Sequence, residues 1–373
     1  MFQSISSRLM MGAIVSTIAI ASSNASAQEK IPGEYLVKYK TNSFSTMMSL
    51  KSTPSLKIMD HHQIGQIMKV KLTAAQEAVA LASILRDPNV EYVVPNSKLH
   101  TMLHSVKSTD LAALAPQDQW ANKITKVEEA WAKAGNRGSR NVKVAVIDTG
   151  VDYTHASLKA NMVTGFDFRD NDADPMDLTS AQNPGHGTHC AGSVGGSAID
   201  GGIAGASADV SLMPLRFLGA DGSGDLNNGI KAIDHAIAQG AHIISASWGA
   251  TVPRAQAQPL VDAVKRASDA GVIMIMAAAN DGRNNDKTEV FPTNAEFANT
   301  ISVAASDSSD KKASFSNYGL ATVHVAAPGV DIVSTLPKNK YGKLSGTSMA
   351  TPLVSGIAAF LKAQDSSLTG AQI

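Results

Sequence analysis

Cysteine is almost missing from these 373 residues: Cys190 is the only one. No internal disulfide can form, so the fold must rest on packing or bound ions. Aromatic residues are scarce, at 5%. Neither sign of charge is in excess, with 32 Lys+Arg against 32 Asp+Glu. That balance argues against nucleic acid or an anionic membrane surface as a partner. No segment reaches the roughly 18 apolar residues of a membrane-spanning helix. Internal repeats and low-complexity tracts are also missing. What remains is small and apolar: 44% hydrophobic residues and 29 glycines. Such a composition suits a large core with helices packed closely on a sheet, and the length allows two or three domains.

The first residues read as a signal for export. Arg8 precedes the short apolar run "MMGAIVSTIAIA", and "ASSNASAQ" follows with Ala25 and Ala27 before Gln28. Residues 1–27 are therefore expected to be a signal peptide, and the protein to be secreted or periplasmic with no membrane span in its mature form. After them, "GEYLVKYK" alternates as a strand does, and "KIMDHHQIGQIMKVKL" holds two more strands. "TAAQEAVALASILRD" reads as a helix opened by Thr73 and Gln76 in capping-box spacing. "VEYVVPNSKLH" closes with a strand, and "STMMSLK" suits a further helix. The order strand, helix, two strands, helix, strand predicts a small α+β ferredoxin-like unit over residues 28–102. Residues 103–117 have no convincing period and read as an exposed linker open to cleavage.

From residue 118 to 373 the pattern changes. "NVKVAVID", "AHIISAS" and "VIMIMAAAN" are continuous apolar runs, as in strands buried on both faces. Between them lie amphipathic helices, "DLNNGIKAIDHAIAQG" and "QPLVDAVKRASDAG", stopped by Gly240 and Gly271. The alternation predicts an α/β domain, a parallel sheet with helices on both faces.

The segment "PGHGTHCAGS" concentrates reactive side chains: His186, His189 and Cys190. By itself it is open to three readings: a metal site, a cysteine nucleophile with a histidine base, or a base serving a nucleophile elsewhere. In a parallel sheet, functional groups gather at the carboxyl ends of strands. Asp148, Ser247 and Asn280 stand at three such ends. "SGTSMATPLVSGIAAFLKAQ" places Ser348 where an apolar helix begins, with Pro352 expected in the helix's first turn. A serine there has its hydroxyl near the positive end of the helix dipole and a backbone N–H free to bind an oxyanion. A serine hydroxyl needs a base to become a nucleophile, and an imidazole base needs a carboxylate to orient it. Asp148, His186 and Ser348 occur in the chain order known for subtilisin.

Three motifs, "VAVIDTGVD", "GHGTHCAG" and "GTSMATP", together with "GSGDLNNGI", "SASWG", "AAAND", "FSNYG" and "AAPGVDI", resemble those of the subtilisin-like serine proteases, or subtilases. The resemblance covers nearly everything after residue 118 and, more weakly, residues 28–102. It implies a secreted serine endopeptidase made as a zymogen, with Asp148 orienting His186, His186 as general base and then acid, and Ser348 forming an acyl-enzyme. Asn280 and the Ser348 N–H would make the oxyanion hole. Extended peptide or protein substrates would bind along Gly222, Ser223 and Gly224 and along Ser247, Trp248 and Gly249. Ala277, Ala278 and Ala279 would help wall the specificity pocket. Residues 28–102 would be a propeptide that chaperones folding and then inhibits, with self-cleavage after "NSKLHTM" or in the linker that follows. The enzyme would act as a monomer. A cysteine at position 190 occurs in some subtilases.

The sequence departs from the family pattern at several places. Trp248 stands where a small aliphatic residue is expected and is either core or a determinant of substrate preference. Glu289 and Val290 lie near the expected pocket floor, where a glutamate would favour basic side chains. No cofactor is required for the chemistry. Structural calcium is implied at the loop "GGSAIDGGIAG", with Asp118, Ser197, Ile199, Gly201 and Ile203 as the candidate set. However, Ser157 replaces a usual carboxylate there, and Ile199 replaces a usual amide. The acidic run Asp167, Asp170, Asp172, Asp174 and Asp177 reads as either a solvated loop or a second cation site. Leu353 takes the place of a frequent histidine, and the chain stops where Ser367 and Thr369 would start another helix, which suggests a truncated or shortened C-terminus.

Overall fold

A computed structural model of the chain describes residues 29–40, 56–106 and 119–373. The expected signal peptide, the helix at residues 45–51, most of the linker and Asp118 lie outside the described residues.

Residues 29–40 and 56–101 form a four-stranded antiparallel sheet with a helix on one face. Its strands are β1 (Lys30–Tyr39), β2 (Leu56–His62), β3 (Ile67–Leu72) and β4 (Val90–Thr101), in the order β4-β1-β3-β2. Alternation along β1 sorts its side chains. Val37 and Tyr39 pack with Met68, Val70 and Ile84 in a small core under α1 (Glu77–Arg86). Leu36 points the other way, with Ile67 and Val94, into the main core of the molecule. The expected capping box does not form. Thr73 and Gln76 instead close a turn, the Gln76 N–H donating to the Thr73 carbonyl at 3.0 Å, and the helix starts only at Glu77.

The expected linker is ordered where it begins. Residues Ser105–Val106 form β5, and Leu103 packs against a hydrophobic cluster. From residue 119, two short helices, α2 (Trp120–Ile124) and α3 (Val127–Ala134), lead into β6 (Gly138–Asp148). Strands β6, β7 (Phe166–Asp167), β8 (Asp209–Arg216), β10 (Ile243–Ala246), β12 (Ile273–Ala277), β13 (Thr300–Ser306) and β14 (Val325–Pro328) make a seven-stranded parallel sheet. Its order is β14-β13-β12-β10-β6-β8-β7. Period-two alternation divides the apolar runs between two faces. Ala145 and Ile147 of β6 and Met274 and Met276 of β12 join the cluster under α5 (Leu226–Ala238) and α6 (Arg254–Asp269). Val144, Val146, Ile273 and Ile275 join the opposite cluster under α4 (His186–Gly195) and α7 (Thr347–Gln364). Gly240 and Gly271 follow α5 and α6 at φ of 69° and 75°, the left-handed conformation that ends a helix.

Three short elements complete the architecture around the carboxyl ends of the sheet: β9 (Ser223–Asp225), β11 (Trp248–Gly249) and the hairpin β15 (Ile332–Leu336) with β16 (Lys340–Ser345). The N-terminal unit meets the large domain here. Residues 98–101 of β4 lie between β9 and β11, antiparallel to both.

Candidate active site

Asp148 is the last residue of β6 and is buried. Its Oδ1 accepts the Thr149 N–H at 2.7 Å and the His186 Nδ1–H at 2.7 Å. His186 opens α4, where the Asn183 carboxamide oxygen accepts the backbone N–H groups of Gly185 at 3.0 Å and of His186 at 2.7 Å. That bond replaces the partner a helix cannot give its first N–H groups. With Nδ1 donating to Asp148, Nε2 is the basic nitrogen. It is buried and has no hydrogen-bond partner among the described residues. Burial is the largest single influence and works against the charged imidazolium, but the Asp148 carboxylate and Cys190 together outweigh it and hold His186 well above the ordinary histidine pKa.

Ser348 lies in the first turn of α7. Its hydroxyl donates to the Ser247 carbonyl at 3.1 Å rather than to His186. Its backbone N–H donates to the Met102 carbonyl at 3.3 Å. The Asn280 Nδ2 donates to the same oxygen, held in that orientation because Asn280 Oδ1 accepts the Thr347 N–H at 2.9 Å and the Thr347 hydroxyl at 3.0 Å. Two donors on one carbonyl oxygen, with an imidazole oriented by a carboxylate and linked to the start of α7 through the Cys190 thiol, are the equipment of acyl transfer through a serine. Gly346 is required at the approach: a Cβ there would lie 2.6 Å from the Met102 oxygen.

Pro352 corrects an expectation. It is the sixth residue of α7 rather than a member of its first turn. Lacking an N–H, it cannot bond the Ser348 carbonyl four residues back. That carbonyl instead accepts the Ser247 hydroxyl at 2.9 Å and the Cys190 thiol at 3.5 Å. The proline thus frees an acceptor that ties α7 to α4 and to the end of β10.

The candidate substrate edges are engaged with the chain's own residues. Leu99 pairs with Gly224 and His100 with Ser223, and the Thr101 N–H donates to the Gly222 carbonyl at 3.0 Å. On the other side Thr101 pairs with Trp248 and His100 with Gly249, and the Met102 N–H donates to the Ser247 carbonyl at 3.0 Å. Ala277, Ala278 and Ala279 are buried after β12.

A scan against family models matches the subtilase family, Peptidase S8, over residues 139–373. The chain belongs to the subtilase family. It is a subtilisin-like serine endopeptidase with the α/β fold of that family, whose catalysis needs no cofactor. It is 37% identical to the thermophilic serine proteinase of Bacillus sp. strain AK1, over 90% of this chain and 79% of that one. It is 41% identical to the major intracellular serine protease of Bacillus subtilis strain 168, over 65% of this chain and 74% of that one. A crystal structure of a cold-adapted subtilisin-like serine proteinase superposes with a TM-score of 0.54 at 35% identity, covering 62% of this chain and 78% of that one.

Within this subtilase, other residues fall into structural roles. The side chain of Trp248 is core: fully buried, edge-on to Phe217, its indole N–H donating to the Ile147 carbonyl at 2.8 Å. Glu289 sits at the surface, bonded to Arg254 at 2.8 Å. Leu353 is buried in the cluster under α7. The His189 Nε2–H donates to the Ile332 carbonyl at 2.9 Å, and burial pushes its pKa down to about 3. The Cys190 thiol is buried, and that burial pushes it up, away from the thiolate a nucleophile needs.

Among the described calcium candidates, the loop oxygens are engaged within the protein rather than gathered around a cation position. Ser197 has the one side-chain oxygen among Ser197, Ile199, Gly201 and Ile203, and it donates to the Ser157 carbonyl at 3.1 Å. The Ile199 and Ile203 carbonyls accept N–H groups from Gly202 and Ala198. Ser157, in the place of the usual carboxylate, bonds Tyr341 at 2.8 Å. Calcium takes six to eight oxygens.

The acidic run is not solvated throughout. Asp167 and Asp170 both accept from Arg216. Asp177, read from the sequence only as one member of that run, is buried. Its buried carboxylate accepts the Thr149 hydroxyl and the Asn183 amide, each at 2.9 Å, on one oxygen. On the other it accepts the Thr188 N–H at 2.9 Å and hydroxyl at 2.7 Å. Burial raises its pKa to about 6 against those bonds. A carboxylate in an acidic loop carries no sequence signal for this role.

Proposed function

We propose that this subtilase is a zymogen that hydrolyses peptide bonds in extended polypeptides through Asp148, His186 and Ser348. His186 takes the Ser348 hydroxyl proton as Oγ bonds the substrate carbonyl carbon, and Asn280 and the Ser348 N–H stabilise the oxyanion. The collapse that leaves an acyl-enzyme returns that proton to the leaving amine, and water then hydrolyses the ester. The observation that carries this reading is the Met102 carbonyl, held by both oxyanion donors beside a His186 oriented by Asp148. Attack needs Ser348 Oγ to turn from the Ser247 carbonyl to His186 Nε2, which is unpartnered.

Residues 28–102 act in this reading as an intramolecular inhibitor, their last strand occupying the peptide-binding edges. Residues 1–27 direct the chain out of the cytoplasm. One relative is named an intracellular protease, so family membership alone leaves location open. The mature enzyme acts as a monomer, and calcium at the 197–203 loop forms no part of its chemistry.

Expression of the chain beside a Ser348→Ala variant tests the reading. The parent should shed its N-terminal unit, hydrolyse peptides and label with a fluorophosphonate. The variant should do none of these. Equal processing of the two would remove Ser348 as the self-cleaving nucleophile.

A further inference from the structure

We propose that Asn317, with Asn285 behind it, is a positioning residue for the oxyanion donor: it holds the backbone turn that places the Asn280 amide. The proposal rests on the reading of Asn280 given above and adds to it the residues that fix its location.

The path of the chain creates the need for such a clamp. Strand β12 ends at Ala277, and Asn280 follows three residues later, beyond the sheet's hydrogen-bonded ladder. Ala279, just before it, has a φ of 86°, in the left-handed region that a residue with a Cβ rarely adopts. Such a conformation persists only where the surroundings over-determine it. Thr347 orients the tip of the Asn280 side chain by engaging its oxygen. The backbone beneath that side chain needs anchors of its own.

Asn317, in the segment "FSNYG", supplies them. Its backbone N–H donates to the Ala279 carbonyl at 2.9 Å. Its carboxamide oxygen accepts the Asp281 N–H at 2.8 Å and the Arg283 N–H at 3.1 Å. The peptide group before Asn280 and the one after it are thus both bonded to a single residue. Asn317 is held in turn. Its Nδ2 donates to Asn285 Oδ1 at 2.9 Å, and Asn285 Nδ2 donates to the Ala278 carbonyl at 2.8 Å. The Asn285 N–H donates to the Tyr318 carbonyl at 2.7 Å, and the Tyr318 N–H to the Arg283 carbonyl at 3.0 Å, which closes the turn onto the Asn317 segment.

Both asparagines are buried. A carboxamide oxygen has two acceptor positions, and N–H groups fill both of those on Asn317, so its amide cannot flip without setting N–H against N–H. Among the described residues, neither carboxamide bonds Asp148, His186 or Ser348. Their effect on catalysis therefore passes through Asn280.

Peptide hydrolysis by enzyme matured from the full chain, with slow variants left longer to process, is the test. Asn317→Ala should lower kcat about 10- to 100-fold with KM nearly unchanged, the loss expected when a reacting group is displaced by about 1 Å. Removing the donor outright in Asn280→Ala should cost about 100- to 1000-fold, a magnitude known from a subtilisin. The deciding measurement combines them. Added to Asn280→Ala, Asn317→Ala should lower kcat by less than about 3-fold more, because no amide is left to place. An equal loss in both backgrounds overturns the proposal, since a general loosening of the fold does not depend on Asn280. A peptide aldehyde, whose adduct with Ser348 puts an oxyanion between the same donors, should bind Asn317→Ala more weakly by the factor lost from kcat/KM. Unchanged kcat in folded Asn317→Ala also overturns the proposal. Where that variant does not fold, Asn285→Ala takes its place in the same comparison; if neither folds, the pair is structural and the proposal falls. A parent that hydrolyses peptides beside an equally active Asn280→Ala would remove Asn280 from the oxyanion hole and this proposal with it. A parent that hydrolyses no peptide would instead remove the enzymatic reading itself.

Discussion

At the scale of single residues, the proposed reading makes His186 the group that sets the working pH. Its neutral form is the base, so activity falls as pH drops through its pKa. Burial opposes the imidazolium, and Asp148 at 2.7 Å together with Cys190 favours it by more, so the net shift is upward. The acid limb of kcat/KM should therefore have its midpoint above about 6.5, the unperturbed histidine value. An Asp148→Asn variant should move that midpoint down as well as lowering kcat. A parent midpoint at or below the unperturbed value would contradict the pairing. Asn280 is legible beside it as the other polar group of the cluster. Its amide is turned toward Met102 only because Thr347 occupies its oxygen. The residue type was readable from "AAAND", but the orientation was not, because it depends on a helix far along the chain.

At the scale of elements, the site depends on holding the end of β6 and the start of α4 at one distance. Asp177 does this from a loop between them. It bonds Thr149, next to Asp148, and Thr188, two residues past His186. It also bonds Asn183, whose oxygen accepts the His186 N–H. Asp177→Asn puts an NH2 group against one of these donors. One unsatisfied buried group costs about 1–3 kcal/mol, so thermal stability should fall. A positioning role predicts more: kcat should drop with KM nearly unchanged, because the substrate edges β9 and β11 are not touched. Equal kcat in a folded Asp177→Asn enzyme would reduce the residue to a structural one.

At the scale of the whole molecule, the N-terminal unit is held by more than its tail. Asp234 of α5 is buried between His62 Nε2 at 2.6 Å and Arg266 at 2.7 Å. Asp60 accepts from Asn227 and Lys231, each at 2.9 Å, and the Tyr92 hydroxyl donates to Asp262 at 2.7 Å. These contacts lie on α5 and α6, away from His186 and Ser348. Asp234→Ala should remove a charge-assisted bond of about 1.5–3 kcal/mol, weakening retention of the cut unit by roughly 10- to 100-fold. The lag before peptidase activity should shorten, while kcat of the matured enzyme stays the same. An unchanged lag would show that the tail alone sets release.

The sequence by itself determined the layers, because burial leaves a local record. Period two in "GEYLVKYK", unbroken apolar runs in "NVKVAVID", and glycine stops after the amphipathic helices each reflect the solvent seen by neighbouring residues. It also determined the chemical types Asp148, His186, Asn280 and Ser348 and their order. It did not determine which carbonyl lies against Ser348 and Asn280, that Pro352 leaves the Ser348 carbonyl to Ser247 and Cys190, or that Asp177 is buried rather than solvated. Those outcomes depend on backbone pairing and hydrogen bonds between segments remote along the chain. Nothing in the local pattern encodes such partners, so only the tertiary structure could decide them.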